Sequence, residues 1–307
     1  MKRERNIIWS IPKEEFESYI DSGLSRRQIG EKFGVSKSTV DIIFSRLKIH
    51  RELLFNINKF DIIDTEEKAY WLGFLYADGC VFERIRGKQH DYWVKLKLAI
   101  VDYDHLIKYK NFLEDIRGDE CVKTFKSKSI NGEIREYCSY TSYNKHFTNS
   151  LISLGCIQRK SLVLKFPDEN IFSNKELVYD FIRGYIDGDG CLTTNGVFGR
   201  LQISIVGTFE FLKGIQKYFP QFKSIHLDKK GSKIYKINCA ANKADEVAYK
   251  LYEHATIYLD RKHQKYTALC KLHNSETSDK IGESCDANAE VTSEIAKGSE
   301  STVENSE

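Results

Sequence analysis

Trp71-Leu-Gly-Phe-Leu-Tyr-Ala-Asp-Gly79 and Ile182-Arg-Gly-Tyr-Ile-Asp-Gly-Asp-Gly190 are two versions of one pattern, 111 residues apart. Each reads as the end of a helix that is apolar nearly all round, and so buried. Each carries two small residues four apart, Gly73 with Ala77 and Gly184 with Gly188, which let two helix backbones come close. Each stops at Asp-Gly, and Gly79 and Gly190 suit a left-handed position just past a helix end. If the two helices pack in parallel, Asp78 and Asp189 place two carboxylates side by side. Alone, that is unfavourable. Like charges meet at the negative ends of two helix dipoles, at about 0.3–1 kcal/mol per charge. Divalent cations remove the conflict, and two carboxylates with nearby carbonyl oxygens are the hard ligands that Mg²⁺ prefers. Metal ions held there can activate a water and stabilise the leaving oxygen in phosphodiester hydrolysis.

The repetition extends beyond the helices. Leu96-Lys-Leu-Ala-Ile-Val101 is echoed by Leu201-Gln-Ile-Ser-Ile-Val206, and Gln158-Arg-Lys160 by Asp260-Arg-Lys262, at offsets of 105 and 102 residues. A duplicated unit of about a hundred residues explains this order, and it is too long and too few-fold for a solenoid. The fold class expected is α+β: two pseudo-symmetric αββαββα repeats forming a saddle of antiparallel sheets, preceded by a small all-α domain.

In the first repeat the pattern predicts strands near 80–87 and 92–101, a helix over about 103–117, strands over 120–127 and 134–142, and a helix from Asn144. Val94, Leu96, Leu98 and Ile100 alternate with Trp93, Lys95 and Lys97, and Leu201, Ile203 and Ile205 with Arg200, Gln202 and Ser204. Arg84, Arg86, Arg135, Tyr137 and Ser139 continue the polar side. One face of each sheet therefore faces a core. The other is polar, basic and partly aromatic, a form suited to a DNA major groove.

Ahead of the repeats, residues 13–50 read as three short helices. Ser25 to Val40 has the layout of a helix-turn-helix: Gly30 at the helix contact, Gly34 for a left-handed turn, and Ile29, Val35 and Val40 in the wedge. Ser25 and Ser36 are placed as caps. Lys37, Ser38 and Thr39 then stand at the start of the second helix, where base and phosphate contacts usually arise.

The 307 residues are 41% hydrophobic and 12% aromatic, enough for two domains with sizeable cores. The longest apolar runs fall far short of a membrane span, and the basic start has no apolar stretch behind it, so neither an anchor nor a signal peptide is expected. Eight cysteines include no CxxC pair, which points to reduced thiols in an intracellular protein. Residues 274–307 hold nine acids and two lysines and lack aromatics, and read as a disordered acidic tail. The remaining body carries a net +10, which suits a polyanionic partner.

Leu72-Gly-Phe-Leu-Tyr-Ala-Asp-Gly79, Gly184-Tyr-Ile-Asp-Gly-Asp-Gly190 and the stretch Tyr258-Leu-Asp-Arg-Lys-His together resemble the LAGLIDADG homing endonuclease family, and residues 66–273 look like its single-chain, two-repeat form. That resemblance implies Mg²⁺-dependent cleavage of both strands of a long double-stranded DNA site by a monomer. It places the metal ligands on Asp78 and Asp189, with carbonyl contacts from Gly79 and Gly190. By repeat symmetry it puts Lys160 and Lys262 beside the attacking water, and it gives DNA contacts to Arg84, Arg86, Lys95, Lys97, Arg135, Arg200 and Gln202. One departure concerns the sixth motif position, Tyr76 in the first copy and Asp187 in the second, so no catalytic role is expected for Asp187. The division expected is 1–57, a helix-turn-helix domain; 58–165 and 166–273, the two repeats; and 274–307, the tail. A non-cleaving DNA-binding regulator or intron-RNA maturase on the same scaffold is the competing reading, against which the two retained acids stand. An intein is disfavoured, since no splicing-type residue opens the chain and no His-Asn closes it.

Overall fold

The computed structural model describes residues 8–21, 24, 26–47, 49, 54–86, 89–128, 131–195, 200–268 and 270. The expected cap Ser25 and the tail 274–307 lie outside them. The described residues divide into two compact units, one drawn from 8–59 and 97–147, the other from 60–96 and 148–270.

In the first unit, helices α1 (Lys13–Asp21), α2 (Arg26–Lys32) and α3 (Lys37–Arg46) enclose a small core of Ile8, Ile11, Phe16, Ile29, Val40, Ile43, Phe44 and Ile49. A side chain at Gly30 would meet the Val35 carbonyl at 2.7 Å, and Gly34 turns the chain with φ +63°. Ser36 caps α3 by accepting from the Thr39 amide at 3.3 Å.

The first repeat runs α4 (Glu66–Asp78), β1 (Gly79–Arg86), β2 (Gln89–Ala99), α5 (Tyr103–Phe112), β3 (Lys123–Lys128), β4 (Ile134–Ser142) and α6 (Lys145–Ser153). The second runs α7 (Leu177–Asp189), β5 (Cys191–Asn195), β6 (Arg200–Gly207), α8 (Phe209–Tyr218), β7 (His226–Leu227), β8 (Tyr235–Ala240) and α9 (Asn242–Tyr252), and residues 260–268 are again helical. The described residues form two four-stranded sheets, in the orders β1-β2-β4-β3 and β5-β6-β8-β7. This is the α+β duplication that the repeated pattern implies. Val94, Leu96, Leu98, Leu201, Ile203 and Ile205 are buried, as their alternation requires.

Some boundaries differ from the sequence pattern. Ile100 leaves the strand to open a 3₁₀ turn, Ile100–Asp102. The helix expected to reach 117 stops at Phe112. Glu114 takes a left-handed φ of 54°, and buried Asp115 accepts from the Arg117 amide and Nε (both 2.9 Å) and from the Tyr140 hydroxyl. A local carboxylate cluster thus replaces the last helical turn.

The second unit is organised around α4 and α7. Residues 69–76 of α4 and 181–187 of α7 are all buried. A side-chain carbon built on Gly73 would lie 1.9 Å from the Phe181 carbonyl, and one on Gly184 would lie 1.9 Å from the Tyr70 carbonyl. One on Gly188 would meet Ala77 at 2.4 Å and Asp78 Oδ2 at 3.3 Å. Contacts advance together along both helices, from Tyr70 with Gly184 to Asp78 with Gly188, so the helices run parallel and finish side by side. Burying a side chain such as Trp71, Phe74, Leu75 or Ile186 contributes roughly 1.5–3 kcal/mol, which outweighs the modest repulsion at the ends.

Gly73→Ala and Gly184→Ala should each cost about 3 kcal/mol, the upper end of overpacking penalties, lowering Tm by about 6–12 °C. Circular dichroism melting checks this. An unchanged Tm would show that the helices have room to separate.

Candidate active site

Each motif helix passes directly into a strand. Gly79 (φ −70°, ψ 141°) and Gly190 (φ −77°, ψ 157°) are extended, which corrects the expectation of left-handed caps. Glycine is needed there for space, because a side chain would lie 2.5 Å from the Leu75 or the Ile186 carbonyl. The extended geometry aims the next residues into β1 and β5 and leaves Asp78 and Asp189 at the junctions, both exposed. Although Asp189 reaches solvent, the protein atoms crowding its carboxyl raise its pKa; Lys160, Lys262 and a hydrogen bond from Tyr185 act in the opposite sense. The Tyr185 hydroxyl also lies 3.0 Å from the Val206 carbonyl, so its single proton is shared between that oxygen and Asp189.

The two lysines matched by repeat symmetry both arrive here. Lys160 Nζ donates to the Gly79 carbonyl. Lys262 Nζ donates to the carbonyls of Ile186 (2.6 Å), Asp187 (2.7 Å) and Gly190 (2.6 Å). These ammoniums sit among carbonyls at helix C-termini, where the dipole favours positive charge. Lys262 is 3% exposed, and burial pushes its pKa down to about 8, opposed chiefly by Asp187. Lys160 is half-buried.

Among the described residues no cluster of three or more His, Cys, Asp or Glu side chains forms a metal cage. The donors on hand are two exposed carboxylates and the Gly79 and Gly190 carbonyls, which already accept from lysines. This sparse, all-oxygen set fits a hard cation that keeps several waters and takes its remaining ligands from a substrate phosphate, as Mg²⁺ does. It does not fit a soft or fully caged metal.

The remaining predicted residues spread over the sheets and the three-helix unit. Arg84 is paired across β1 and β2 with Asp91 (2.5 Å), Arg135 with Glu133 (2.8 Å), and Lys37 with Asp41 (2.7 Å). Arg86 and Arg200 are exposed, and Lys95 and Gln202 half-buried. Lys97 is exposed, its ammonium 3.8 Å above the centre of the Tyr137 ring. Ser38 is exposed at the start of α3, while Thr39 is partly engaged in its cap.

No protein-family model matches the chain. An uncharacterised protein of Methanocaldococcus jannaschii is 26% identical over 227 residues, 73% of this chain and 73% of its own length. A probable translation initiation factor IF-2 of the same organism is 29% identical over 188 residues; the match spans 59% of this chain and only 13% of the factor, whose name therefore says nothing of this chain. Similar solved structures include the LAGLIDADG homing endonuclease I-GzeII in complex with its DNA target (TM-score 0.42, 14% identity, 71% of this chain and 96% of that one). The I-SmaMI homing endonuclease bound to cleaved DNA (0.43, 14%, 69% and 90%) and mesophilic variants of I-DmoI (0.42, 16%, 65% and 98%) are others. At that distance a likeness carries no weight for activity, which must be read from the site itself.

Two features at the site go beyond the roles expected from the motifs. Tyr185 replaces the Phe74 of the first motif and adds a hydroxyl next to Asp189. Asp187, completely buried, accepts from the hydroxyls of Tyr70 (2.8 Å) and Tyr252 (2.6 Å) and from the Leu259 amide (2.8 Å). The Phe-to-Tyr and Tyr-to-Asp differences between the copies were the only signal available for either.

Because the folded protein holds the Lys262 proton less tightly than the unfolded chain does, stability should rise with pH between about 8 and the ordinary lysine value of 10.5. In EDTA, the wild type should gain about 2 kcal/mol relative to Lys262→Met between pH 8 and 10, by urea unfolding. Parallel profiles for the two proteins would contradict a depressed Lys262 pKa.

Proposed function

We propose that the chain is a site-specific endonuclease of the LAGLIDADG homing type, hydrolysing one phosphodiester in each strand of double-stranded DNA with Mg²⁺ held by Asp78 and Asp189. The observation that supports this most is the parallel packing of α4 and α7, which ends both motifs at one place with two exposed acids and two lysine-capped glycine carbonyls. Mg²⁺ bound there supplies a polarised water and charge neutralisation at the leaving oxygen. Asp78 and Asp189 hold charge at the helix ends, where a bound phosphate must approach. Lys160 and Lys262 supply positive charge beside them, and the rigid helix pair keeps the acids in place.

The two polar sheet faces carry the long DNA site in this reading. Phosphate contacts come from Arg86, Lys95, Lys97 and Arg200, base contacts from Gln202, and further contacts from Arg84 and Arg135 once their acid partners release them. Residues 1–57 form a helix-turn-helix DNA-binding domain, 58–165 and 166–273 the two nuclease repeats, and 274–307 an acidic tail. The protein acts as a monomer inside the cell. No helix among the described residues is long and apolar enough to cross a membrane. The capped start of α3, offering Lys37 and Ser38, also supports a second reading, a non-cleaving DNA-binding protein or RNA maturase on this scaffold.

Purified protein with Mg²⁺ should cut members of a randomised DNA library, and sequencing of the ends gives the site. Asp78→Asn and Asp189→Asn should each abolish cutting, as should a chelator, while binding to the selected DNA stays within about threefold, as expected when metal-holding acids and not DNA contacts are removed. Cleavage retained in both variants would remove the acids from the mechanism, and binding without cleavage by the wild type would favour the second reading. Deleting residues 1–57 should weaken DNA binding and flatten its salt dependence. An unchanged salt slope in fluorescence anisotropy would assign that unit to packing alone.

A further inference from the structure

The two motif helices end in different chemistry, although their backbones match. At the end of α7, the Ile186 carbonyl accepts from the Gly190 amide (2.8 Å) and from the Lys262 ammonium (2.6 Å). At the end of α4, the equivalent Leu75 carbonyl accepts from the Gly79 amide and from the buried Cys156 thiol (3.5 Å), and Lys160 reaches only as far as Gly79. A neutral thiol stands where the second repeat has a cation.

The sixth motif position differs in the same sense. Tyr76 is buried and neutral, and its hydroxyl donates to the Leu154 carbonyl. Asp187 is buried and acidic, held by Tyr70, Tyr252 and the Leu259 amide. An ammonium buried among carbonyls is costly unless a compensating negative charge lies near it. Asp187 is the acid that acts most strongly on Lys262, whereas Lys160 acts on Asp189, which reaches solvent. Of the three hydrogen bonds to Asp187, those from Tyr252 of α9 and the Leu259 amide tie its carboxylate to the segment that leads to Lys262, and that from Tyr70 ties it to α4.

We propose that the sixth motif residue decides whether the neighbouring lysine is drawn into the helix end. Asp187 positions Lys262 as a fixed, buried cation, Tyr76 leaves Lys160 half-buried on the Gly79 carbonyl alone, and the two halves of the site are chemically unequal. This rests on the nuclease reading only for its kinetic consequence: the two strands are cut at different rates, and the half served by Lys262 depends on Asp187. Asp187 is in this sense a positioning residue that touches no substrate.

Brief labelling of the full-length protein with acetic anhydride, read residue by residue by mass spectrometry, tests the placement without any activity. Lys160, half-buried, should react about tenfold faster than Lys262, whose labelling requires local opening. Asp187→Asn should raise Lys262 labelling towards the Lys160 rate and leave Lys160 unchanged. Equal labelling of the two lysines in the wild type, or an unmoved Lys262 in Asp187→Asn, overturns the proposal. If Asp187→Asn does not fold, Tyr252→Phe removes one hydrogen bond from the same carboxylate and keeps the ring; Lys262 labelling unchanged in that variant also overturns it. On nicked-circle intermediates of a selected target, Asp187→Asn and Lys262→Met should slow the same single strand. Equal slowing of both strands would mean a general structural defect and defeat the positioning role. A protein that cuts nothing would defeat the nuclease reading while leaving the labelling result to stand or fall separately.

Discussion

The backbone contact between α4 and α7 is the constraint on which the rest of the second unit depends. At Gly73 and Gly184 each helix approaches a carbonyl of the other so closely that a single methyl group would overlap it. Such an approach is reached only if the larger side chains stand to either side of the seam. Tyr70, Trp71, Phe74, Tyr76 and Phe181 do so, with Tyr76 and Phe181 meeting edge to face at 5.0 Å. The aromatic flanks supply the burial energy and the glycines supply the proximity. Proximity then dictates where Asp78 and Asp189 stand, because each is the last residue of a rigid helix. The like-charge repulsion is therefore a tolerated consequence of packing, small beside the area buried, and it leaves a site that gains from cationic company.

The beginnings of the two helices are tied as firmly as their ends. Arg183, 3% exposed, donates to Glu66 (2.6 Å), Asp180 (2.7 Å) and the carbonyls of Leu251 and Ile257 (both 3.0 Å). Glu66 at the start of α4 also accepts from the Thr256 amide (2.8 Å) and hydroxyl (2.7 Å). A buried guanidinium is tolerated when its donors are used in this way; removing one partner would leave a stranded charge. With Arg183 midway and Asp187 and Lys262 at the far end, α7 has buried charge along one side, where α4 has Leu72, Tyr76 and Cys156. The duplication preserved backbone and packing, and let the polar surroundings diverge.

The two sheets present unlike solvent faces. In the first repeat, Phe82 and Trp93 stack across β1 and β2 with ring centres 4.6 Å apart. Phe125 and Tyr137 pair across β3 and β4 at 5.9 Å, with Lys97 over Tyr137. In the second, β5 and β6 offer Thr193, Gln202 and Ser204, small polar groups alternating with buried Leu192, Leu201 and Ile203. Faces so different suit different contents, the first for apolar and cationic contact, the second for hydrogen bonding.

Much of the fold was legible from the chain, since it rests on local periodicity and on a duplication visible in the residues themselves. Helix ends at Asp78 and Asp189, the inward alternation of Leu96 and Ile203, and the arrival of Lys160 and Lys262 at equivalent places all follow from pattern and offset. The sequence by itself determined that two acids end two matched helices with small residues along the seam. Only the tertiary structure decided what surrounds them. Gly79 and Gly190 are extended because strands begin there at once, and α5 stops early because Asp115 serves Arg117 and Tyr140. Above all, Lys262 is buried and Lys160 only half-buried. Burial of a charge depends on partners distant in the chain, here Asp187 with Tyr70, Tyr252 and Leu259, and no local pattern in the sequence records that they meet.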